Sequence, residues 1–339
     1  MSSTDGAPAL PPPIALNTMM AGYWISRAIH AAAALGVADH LAAGPARVGD
    51  VAKAVGAHEE SLYRLLRALA SVGVFAETEP RKFTLTPMAS CLQTGPGSLR
   101  ALSLFDQLQY VAFEDIVHSV KTGKTAFEHR HGQGLFEYLE KHPEDARTFD
   151  EGMSGFVSNN AAAVVAAYDF SGFGSIVDVG GGLGLLMGMI LKANLEARGV
   201  LFDLPHVAER AKRSIADAGL STRCEVVGGD FFKSVPSNGD AYLMASILHD
   251  WDDDRSVAIL KTCRQAAPKT AKLLLVEMVI PPGDSPFFGK LLDLNMLVVL
   301  GGRERTEAEY RDLLSAGGFG LDRIVPTPSL ASVVEAVPA

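Results

Sequence analysis

The first strongly apolar segment of the chain has too many hydrophobic positions for a helix with one buried face. Between Ile14 and Leu41, apolar side chains spread over most of the circumference of the helix that this stretch predicts. Such a helix has to be covered on several sides, by a second domain or by a partner subunit. The pattern leaves both covers possible, and a hypothesis of dimerisation rests on this helix.

The following segment has the order of a winged helix. Helical periodicity over Val48–Val55 and Ser61–Val72 is followed by Gly73 and a hairpin-like stretch, Val74–Leu85. The turn of this hairpin is predicted at Glu79-Pro-Arg-Lys82, because proline and charged residues interrupt the strand pattern there. Winged helices occur both in DNA-binding domains and in dimerisation domains. The distribution of charge can distinguish between these two functions.

Charge argues against DNA binding by this segment. Residues 1–100 carry eight basic and seven acidic side chains, and the helix in the recognition position has only Arg64 and Arg67 as basic residues. A DNA-binding face usually presents a basic stripe to the phosphates. A dimerisation role is favoured, and a ligand-sensing regulator that uses the wing for DNA is the non-enzyme alternative.

The pattern of apolar and polar residues changes after the predicted winged helix. Residues 100–168 are predicted to be mainly helical, including Ser98–Ser119 and Gln133–His142. Short apolar runs then alternate with helical stretches, and we predict strands at Ser175–Val179, Gly199–Asp203, Arg223–Val227, Asp240–Ser246 and Lys272–Ile280. This alternation indicates the α/β class, with an open, mainly parallel sheet and helices on both faces.

Length and pattern together predict two domains. A chain of 339 residues exceeds the size at which one core usually keeps growing. We assign residues 1–13 to a disordered lead-in, residues 14–98 to the winged-helix domain and residues 99–339 to the α/β domain, of which residues 99–170 are a helical linker region.

Composition excludes several classes of protein. Hydrophobic residues make up 48% of the chain, too many for a disordered protein, and the net charge of −9 is unfavourable for a nucleic-acid partner. Cys91, Cys224 and Cys263 are widely separated, which is typical of a reducing compartment, so we expect a cytoplasmic protein. The sequence contains neither a signal-peptide pattern at its start nor the run of about 18 apolar residues that a membrane helix needs.

Three predicted strands end in glycine or acidic residues. The first ends in Asp178-Val-Gly-Gly-Gly-Leu-Gly184, a turn whose backbone can approach a ligand at a helix N-terminus. The second ends at Asp203, where a carboxylate can bind both hydroxyls of a ribose. The third ends at Asp230 and Phe231, with apolar neighbours suited to an adenine ring. Because parallel strands end at one edge of a sheet, these residues predict a nucleoside-containing cofactor there.

A dinucleotide dehydrogenase is the competing interpretation. Its G-x-G-x-x-G motif, counted from Gly180 and Gly182, requires a third glycine where the chain has Leu185. The glycines fall instead at Gly180, Gly182 and Gly184, after an acidic residue. This arrangement suits a cofactor without a pyrophosphate.

His249 is the candidate general base. It closely follows the fourth predicted strand, at the sheet edge where ligands of such sheets bind, and a neutral imidazole with an ordinary pKa of about 6.5 can accept a proton. Its other ring nitrogen needs an orienting acceptor. Glu277 is one candidate, because a carboxylate in an apolar strand is costly unless it is paired, and Glu304 in a glycine-led turn is the other.

The aspartates after His249 have a simpler explanation. One of Asp252, Asp253 and Asp254 is expected to cap the next helix, since acidic residues stabilise a helix N-terminus. A metal site is disfavoured because consecutive side chains point in different directions and no second histidine lies at helical spacing.

With these motifs the chain resembles, along essentially its whole length, the class I S-adenosylmethionine-dependent small-molecule O-methyltransferases of the caffeate/hydroxyneurosporene type. The motifs that carry the resemblance are Asp178–Gly184, Phe202-Asp-Leu-Pro-His206, Gly229-Asp-Phe-Phe232, Ile247-Leu-His-Asp-Trp-Asp-Asp253 and Gly301-Gly-Arg-Glu-Arg-Thr306. The resemblance implies a Rossmann-like methyltransferase sheet after a mainly α winged-helix dimerisation domain. It also implies a homodimer that uses S-adenosyl-L-methionine, releases S-adenosyl-L-homocysteine and needs no metal.

The resemblance further implies roles for individual residues. His249 would deprotonate the acceptor hydroxyl, with Glu277 and Glu304 beside it. The cofactor would contact Asp178, Gly180, Gly182, Asp203, Leu204, Asp230, Phe231 and Ser246. The acceptor pocket, which the helical region of residues 99–170 helps to form, would be lined by Phe149, Met153, Asp250, Met296 and Leu300.

Two positions differ from the plant members of this family. Plant enzymes have a lysine four residues before the histidine, near the adenine, where this chain has Ala245 followed by Ser246. They also have a polar residue where Leu300 stands. The second difference favours a more apolar or differently shaped acceptor.

We therefore expect an enzyme that methylates a hydroxyl of an aromatic or polyketide-like small molecule. A phenol, with a pKa near ~10, needs a base before it attacks, whereas a sulfonium methyl already bears positive charge. The protein then has to position the reactants and exclude water. Alternatives on the same fold are nitrogen methylation and decarboxylation or hydroxylation without methyl transfer, and the set His249, Glu277 and Glu304 favours oxygen.

Overall fold

The chain divides into two compact units, one ending at Gln107 and the other beginning at Leu108. The structure is a computed structural model that describes residues 10–95 and 97–339, excluding the side chain of Asn159. Most of the predicted lead-in, residues 1–9, lies outside the described residues. Helix α7 (Arg100–Phe113) contains the boundary between the two units.

The first unit is a small helical domain with a three-stranded sheet. Its elements are α1 (Pro12–Met20), α2 (Gly22–Ala34), α3 (Val37–His40), β1 (Ala46–Arg47), α4 (Val48–Val55), α5 (Glu59–Ser71), β2 (Phe75–Glu79), β3 (Lys82–Leu85) and α6 (Pro87–Ser90). The strand order is β1-β3-β2, and both pairs are antiparallel. Arg81 turns between β2 and β3 with a φ of 63°. Helices α4 and α5 followed by this hairpin give the winged-helix order that the sequence predicts.

The predicted apolar helix at the start is three helices. The first begins at Pro12, inside the predicted lead-in, because proline suits the first turn of a helix. A break at Ala21 separates α1 from α2, and Gly36, with a φ of 66°, separates α2 from α3. Helix α1, the residue Leu10 before it and the first half of α2 expose a row of large apolar side chains in the described chain, namely Leu10, Ile14, Leu16, Met19, Met20, Tyr23, Trp24 and Ile25.

The second unit begins with helices and continues as an α/β sheet. Its helices are α8 (Ile116–Thr122), α9 (Ala126–His131), α10 (Leu135–Lys141), α11 (Pro143–Ala167), α12 (Leu185–Ala193), α13 (Pro205–Asp217), α14 (Asp253–Ala266), α15 (Phe288–Val299) and α16 (Glu307–Ala316). Its strands are β4 (Ser175–Val179), β5 (Arg198–Asp203), β6 (Cys224–Gly228), β7 (Ala241–Ala245), β8 (Lys272–Glu277), β9 (Val279–Ile280), β10 (Arg305–Thr306), β11 (Phe319–Pro326) and β12 (Ser332–Pro338).

The main sheet has seven strands in the order β11-β12-β8-β7-β4-β5-β6. The five strands from β8 to β6 are parallel, and β12 and β11 are antiparallel additions at one side. Apolar clusters cover both faces of the sheet, one around Leu186 and Ile190 of α12 and the other around Ile259 and Leu260 of α14. This double covering explains why the strands are nearly continuous apolar runs.

The strands β9 and β10 form a separate two-stranded parallel sheet. The predicted strand Lys272–Ile280 is therefore divided after Glu277, and its last two residues pair with Arg305 and Thr306. Among the described residues, no helix combines the length and the apolar character that crossing a membrane requires.

Candidate active site

The carboxyl ends of β4, β5, β6 and β7 lie at the same edge of the parallel sheet. The turn after β4 passes through Gly180, which has a φ of 73°. A Cβ atom at Gly180 would lie 2.5 Å from Ile247 Cδ1 and 3.7 Å from the ring of Phe231. The turns after β4, β6 and β7 thus meet around a backbone that a side chain would block, as the glycine motif predicts.

The two acidic residues at the ends of β4 and β5 are close to one another. Asp203 accepts hydrogen bonds from the amides of Gly182, at 2.8 Å, and Leu204, at 2.7 Å. Burial, together with the nearby charge of Asp203, raises the pKa of Asp178 to about 7. Burial also raises the pKa of Asp203, although the two amides oppose this.

The electrostatics of these carboxylates fit S-adenosylmethionine. Asp178 is buried, Asp203 is half-buried, and the charge of Asp203 disfavours the ionisation of Asp178, so a ligand with positive groups would stabilise the ionised pair. The cofactor carries an ammonium and a sulfonium, so Asp178 and Asp203 are suited to hold it.

Aromatic side chains gather beside the end of β6. Phe231 and Phe232 pack edge-to-face, and Trp251 contacts both rings in the same geometry. The guanidinium of Arg255 lies 4.3 Å from the ring centre of Trp251. Asp230 is turned towards its own loop, where it accepts from the amide of Phe232 at 3.0 Å and pairs with Lys233 at 3.1 Å.

His249 lies in a short 3₁₀ turn, Leu248–Asp250, which we call the His249 turn. Its imidazole is buried, with Nδ1 2.7 Å from Glu304 Oε1 and 3.9 Å from Glu277 Oε2. On the other side of the ring, Nε2 lies 3.3 Å from Asp250 Oδ1. Of the two orienting acceptors that the sequence suggests, Glu304 is the one within hydrogen-bonding distance.

Glu277 holds the backbone of the same turn. Its Oε1 atom accepts from the amides of Ile247, at 3.1 Å, and Leu248, at 3.0 Å. Its Oε2 atom and Glu304 Oε2 are buried without a hydrogen-bond partner among the described residues. The amide of Glu304 donates to Asp293 Oδ1 at 2.9 Å. Sequence reasoning missed Asp293, because nothing in helix α15 marks it as facing this turn.

The charge state of His249 differs from the expectation of a neutral imidazole with an ordinary pKa. Burial alone would lower the pKa of His249, but the carboxylates of Glu277, Asp250 and Glu304 outweigh burial and raise it to about 10. Burial raises the pKa of Asp250 to about 6. The carboxyl groups beside both of its nitrogens therefore favour the protonated form of the imidazole.

The pairing of β9 with β10 explains why two glutamates so far apart in sequence meet. Val279 pairs with Arg305, so Glu277, two residues before the first, lies beside Glu304, one residue before the second. The loop of residues 301–306 also packs directly on the His249 turn. The amide of Arg303 donates to the carbonyl of His249 at 2.8 Å, and a Cβ atom at Gly302 would lie 1.9 Å from that oxygen.

The predicted apolar residues of the acceptor pocket lie on or next to two helices of this unit. Phe149 and Met153 lie on α11 and are half-buried, while Met296 is buried on α15 and Leu300 follows that helix. The ring of Phe149 meets Phe136 edge-to-face at 6.3 Å, and Phe136 in turn stacks on Trp251 at 5.9 Å. Ser246 precedes the His249 turn with a φ of 55°.

The starts of two helices lie close to this site, and the sequence predicts the cap of the first. Asp252 is the aspartate that caps α14, since its side chain accepts from the amide of Arg255 at 2.8 Å. The helix after Glu304 begins with a capping box formed by Thr306 and Glu309, so Glu304 is free to face His249.

His249, Glu277 and Glu304 are the one group of described residues whose ligand atoms lie close enough together to hold a metal ion. A metal there would have to displace the hydrogen bond between His249 Nδ1 and Glu304. The same three atoms are accounted for by a histidine oriented by carboxylates.

Comparison with known proteins supports the cofactor. Residues 113–320 match the model of the O-methyltransferase domain, and residues 17–95 match that of the O-methyltransferase dimerisation domain. The structure of an O-methyltransferase from neocarzinostatin biosynthesis, solved with S-adenosylmethionine and 2-hydroxy-5-methyl naphthoic acid, is similar with a TM-score of 0.78. It is 35% identical, and the match covers 93% of this chain and 96% of that one.

Individual relatives act on different atoms. The chain is 48% identical to the phenazine O-methyltransferase PhzM of Lysobacter antibioticus, over 100% of both chains. It is 38% identical to an 8-amino-8-demethylriboflavin N,N-dimethyltransferase of Streptomyces davaonensis, over 91% of this chain and 90% of that protein. The sheet with its glycine turn, the helical first unit and these matches lead to one conclusion: the chain belongs to the family of S-adenosylmethionine-dependent methyltransferases that combine an O-methyltransferase domain with a dimerisation domain.

Proposed function

We propose that this enzyme transfers a methyl group from S-adenosylmethionine to a hydroxyl of a polycyclic aromatic acceptor of the phenazine class. The observation that carries the proposal is the buried set of His249, Glu304 and Glu277, in which a carboxylate on Nδ1 orients one imidazole. The acceptor class is supported by the 48% identity to a phenazine O-methyltransferase over the whole chain.

In this proposal His249 Nε2 removes the proton of the acceptor hydroxyl. Glu304 accepts the hydrogen bond of Nδ1–H and so fixes the tautomer and the orientation of the ring. Asp250 lies against Nε2 and has to yield this position to the hydroxyl. When bound, S-adenosylmethionine supplies a methyl group on a positively charged sulfur, so the oxygen needs no further activation once its proton is lost.

The cofactor is assigned to the strand-end turns. The glycine turn, through Gly180 and Gly182, allows close approach of the cofactor, and Asp178 balances its positive groups. Asp203 and Leu204 are assigned to the ribose, Asp230 and Phe231 to the adenine and Ser246 to the neighbouring backbone contact. Because Asp203 already accepts two amides, its carboxylate is fixed in place before the ribose arrives.

The acceptor is assigned to the space beside α11 and α15. Phe149, Met153, Met296 and Leu300 present apolar side chains, and Asp250 is the polar group next to the base. Apolar walls with few polar groups suit a flat aromatic ring system.

We also propose that the enzyme is a homodimer joined through its first unit. The match to a dimerisation domain and the exposed apolar row on α1 and α2 support this. A row of this size on a monomer is typical of a surface that another chain covers.

Nitrogen methylation is the second candidate, because a relative 38% identical is named as an N,N-dimethyltransferase. An aromatic amine attacks through its lone pair and needs no base before attack. The carboxylate-oriented His249 therefore favours the hydroxyl acceptor.

The test compares acceptors and variants in parallel. Purified enzyme with S-adenosylmethionine is given a hydroxyphenazine and the aminophenazine of the same ring, and the products are identified by mass spectrometry. We expect methylation of the hydroxyl. His249→Asn should lower kcat by roughly 100-fold or more, because a positioned base contributes at least that much.

The controls separate loss of the base from loss of the fold. S-adenosylhomocysteine binding, measured by calorimetry, should be nearly unchanged in His249→Asn, and His40→Asn, at an exposed histidine, should keep full turnover. Wild-type turnover in His249→Asn would overturn the role of the base. Methylation of the amine alone would replace the proposed acceptor class with the nitrogen alternative.

A further inference from the structure

We propose that Arg305 is a positioning residue that holds the His249 turn in its reactive place. This inference rests on the proposed role of His249. Arg305 has no solvent exposure, although arginine is rarely buried completely. Its guanidinium is directed at the turn that carries His249, and no role in substrate or cofactor binding is assigned to it.

The contacts of Arg305 enclose the His249 turn on both sides. One terminal nitrogen donates to the carbonyl of Leu248, immediately before His249, at 3.0 Å. The other donates to the carbonyl of Trp251, immediately after Asp250, at 3.0 Å. Two backbone points on either side of the base are thus fixed by one rigid, planar group.

The charge of the buried guanidinium is balanced within the same segment. Asp253 Oδ1 accepts from two nitrogens of Arg305, at 2.8 and 3.0 Å. Ser256 accepts from Arg305 at 3.2 Å and itself donates to the carbonyls of Leu248, at 3.2 Å, and Trp251, at 3.3 Å. We call Arg305, Asp253 and Ser256 the turn clamp.

A general role in stability does not account for this arrangement. A surface ion pair with Asp253 would need neither complete burial nor donation to two carbonyls. Arg303 shows the difference, because it belongs to the same loop and pairs with the same aspartate at 3.4 Å, yet its side chain is 44% exposed. The backbone amide of Arg303, not its guanidinium, contacts the His249 turn.

The catalytic consequence follows from the distances around His249. The bond from Nδ1 to Glu304 is 2.7 Å long and depends on the turn staying against the 301–306 loop. Arg305 follows Glu304 directly in the chain and donates hydrogen bonds to the carbonyls of the His249 turn. It therefore fixes His249 and Glu304 relative to one another. A shift of about 1 Å in such a unit costs roughly 100-fold in rate.

The experiment uses Arg305→Lys and Ser256→Ala in the full-length enzyme, with Arg303→Ala as the matched control. Lysine keeps the charge but replaces the planar guanidinium by a single nitrogen, which cannot reproduce the separate bonds of three nitrogens to the two carbonyls and Asp253. Ser256→Ala keeps the arginine and removes the hydroxyl of the turn clamp. This variant still tests the proposal if Arg305→Lys does not fold. The readouts are kcat and KM, S-adenosylhomocysteine affinity by calorimetry, and the titration of His249 followed by NMR of labelled imidazole.

We expect kcat to fall by roughly 100-fold in Arg305→Lys and about tenfold in Ser256→Ala, with KM and S-adenosylhomocysteine affinity within about twofold of wild type. The pKa of His249 measured by NMR should fall by about one unit in both variants, because the imidazole loses part of its contact with Glu304. Arg303→Ala should match wild type in every readout.

Two outcomes would overturn the clamp. One is loss of turnover in folded variants with an unmoved His249 titration, which would mean a general structural effect. The other is wild-type kcat in both variants. Failure of the proposed function looks different, since it appears as full turnover in His249→Asn while the NMR titration still reports whether Arg305 places the imidazole.

Discussion

One imidazole in this structure is enclosed by three carboxyl groups, which changes how the enzyme should respond to pH. The pKa of His249 is raised from 6.5 to about 10 by Glu277, Asp250 and Glu304, against the effect of burial. The same pairing stabilises the folded chain fully below pH 6.5, and this stabilisation is lost as the pH rises through about 10.

The neutral, base-competent imidazole is the minor form at neutral pH, so kcat/KM with saturating cofactor should rise from pH 7 towards about 10. Glu304→Gln removes one of the charges that raise the pKa, and the rising limb should move to lower pH by about one unit. The pH profile of the two enzymes measures this shift. Glu137→Gln, at an exposed glutamate, is the control and should keep the wild-type profile. If kcat/KM of Glu304→Gln rises over the same pH range as that of the wild type, a group other than His249 controls the pH dependence.

At the scale of elements, the contact between the 301–306 loop and the His249 turn leaves no space for a side chain. A Cβ atom at Gly302 would lie 1.9 Å from the carbonyl oxygen of His249, and this neighbour is backbone. Gly302→Ala should therefore separate the two elements and lower kcat by roughly 100-fold.

Steady-state kinetics check this prediction, together with calorimetry of S-adenosylhomocysteine, whose affinity should be retained. Gly172→Ala is the matched control, since a Cβ atom there meets nothing within 4 Å. Normal turnover in Gly302→Ala would mean that the loop does not support the base.

The elements of the molecule were predictable where local pattern decides them. The glycine turn after Asp178 and the cap at Asp252 follow from residue type and position alone. The division of the first helix at Gly36 and the start of α11 at Pro143 are less visible, because glycine and proline both end and begin helices. Asp293 and Arg305 could not be assigned at all, since their contacts arise only when β9 pairs with β10.

At the scale of the whole molecule, the apolar row on α1 and α2 should decide the oligomeric state. Trp24 is 63% exposed in the single chain, and aromatic side chains in the centre of an interface contribute strongly to its affinity. Trp24→Asp should weaken the dimer by roughly 30-fold or more, because hot-spot residues each contribute about 2 kcal/mol.

Sedimentation velocity over a range of concentrations measures this change. Met88→Asp is the matched control, because Met88 is 54% exposed but lies outside α1 and α2. A wild-type enzyme that sediments as a monomer at micromolar concentration would refute the dimer.

The order of strands in the main sheet also has a consequence for how the chain folds. Strand β11 pairs within the sheet with β12 alone, while β12, which is made later, also pairs with β8. Strand β11 can therefore join the sheet only once β12 is available to pair with both β11 and β8. Formation of the β11–β12 hairpin is local and fast, whereas its attachment to β8 closes a long loop. The hairpin should thus join a preformed parallel sheet as one unit, late in folding.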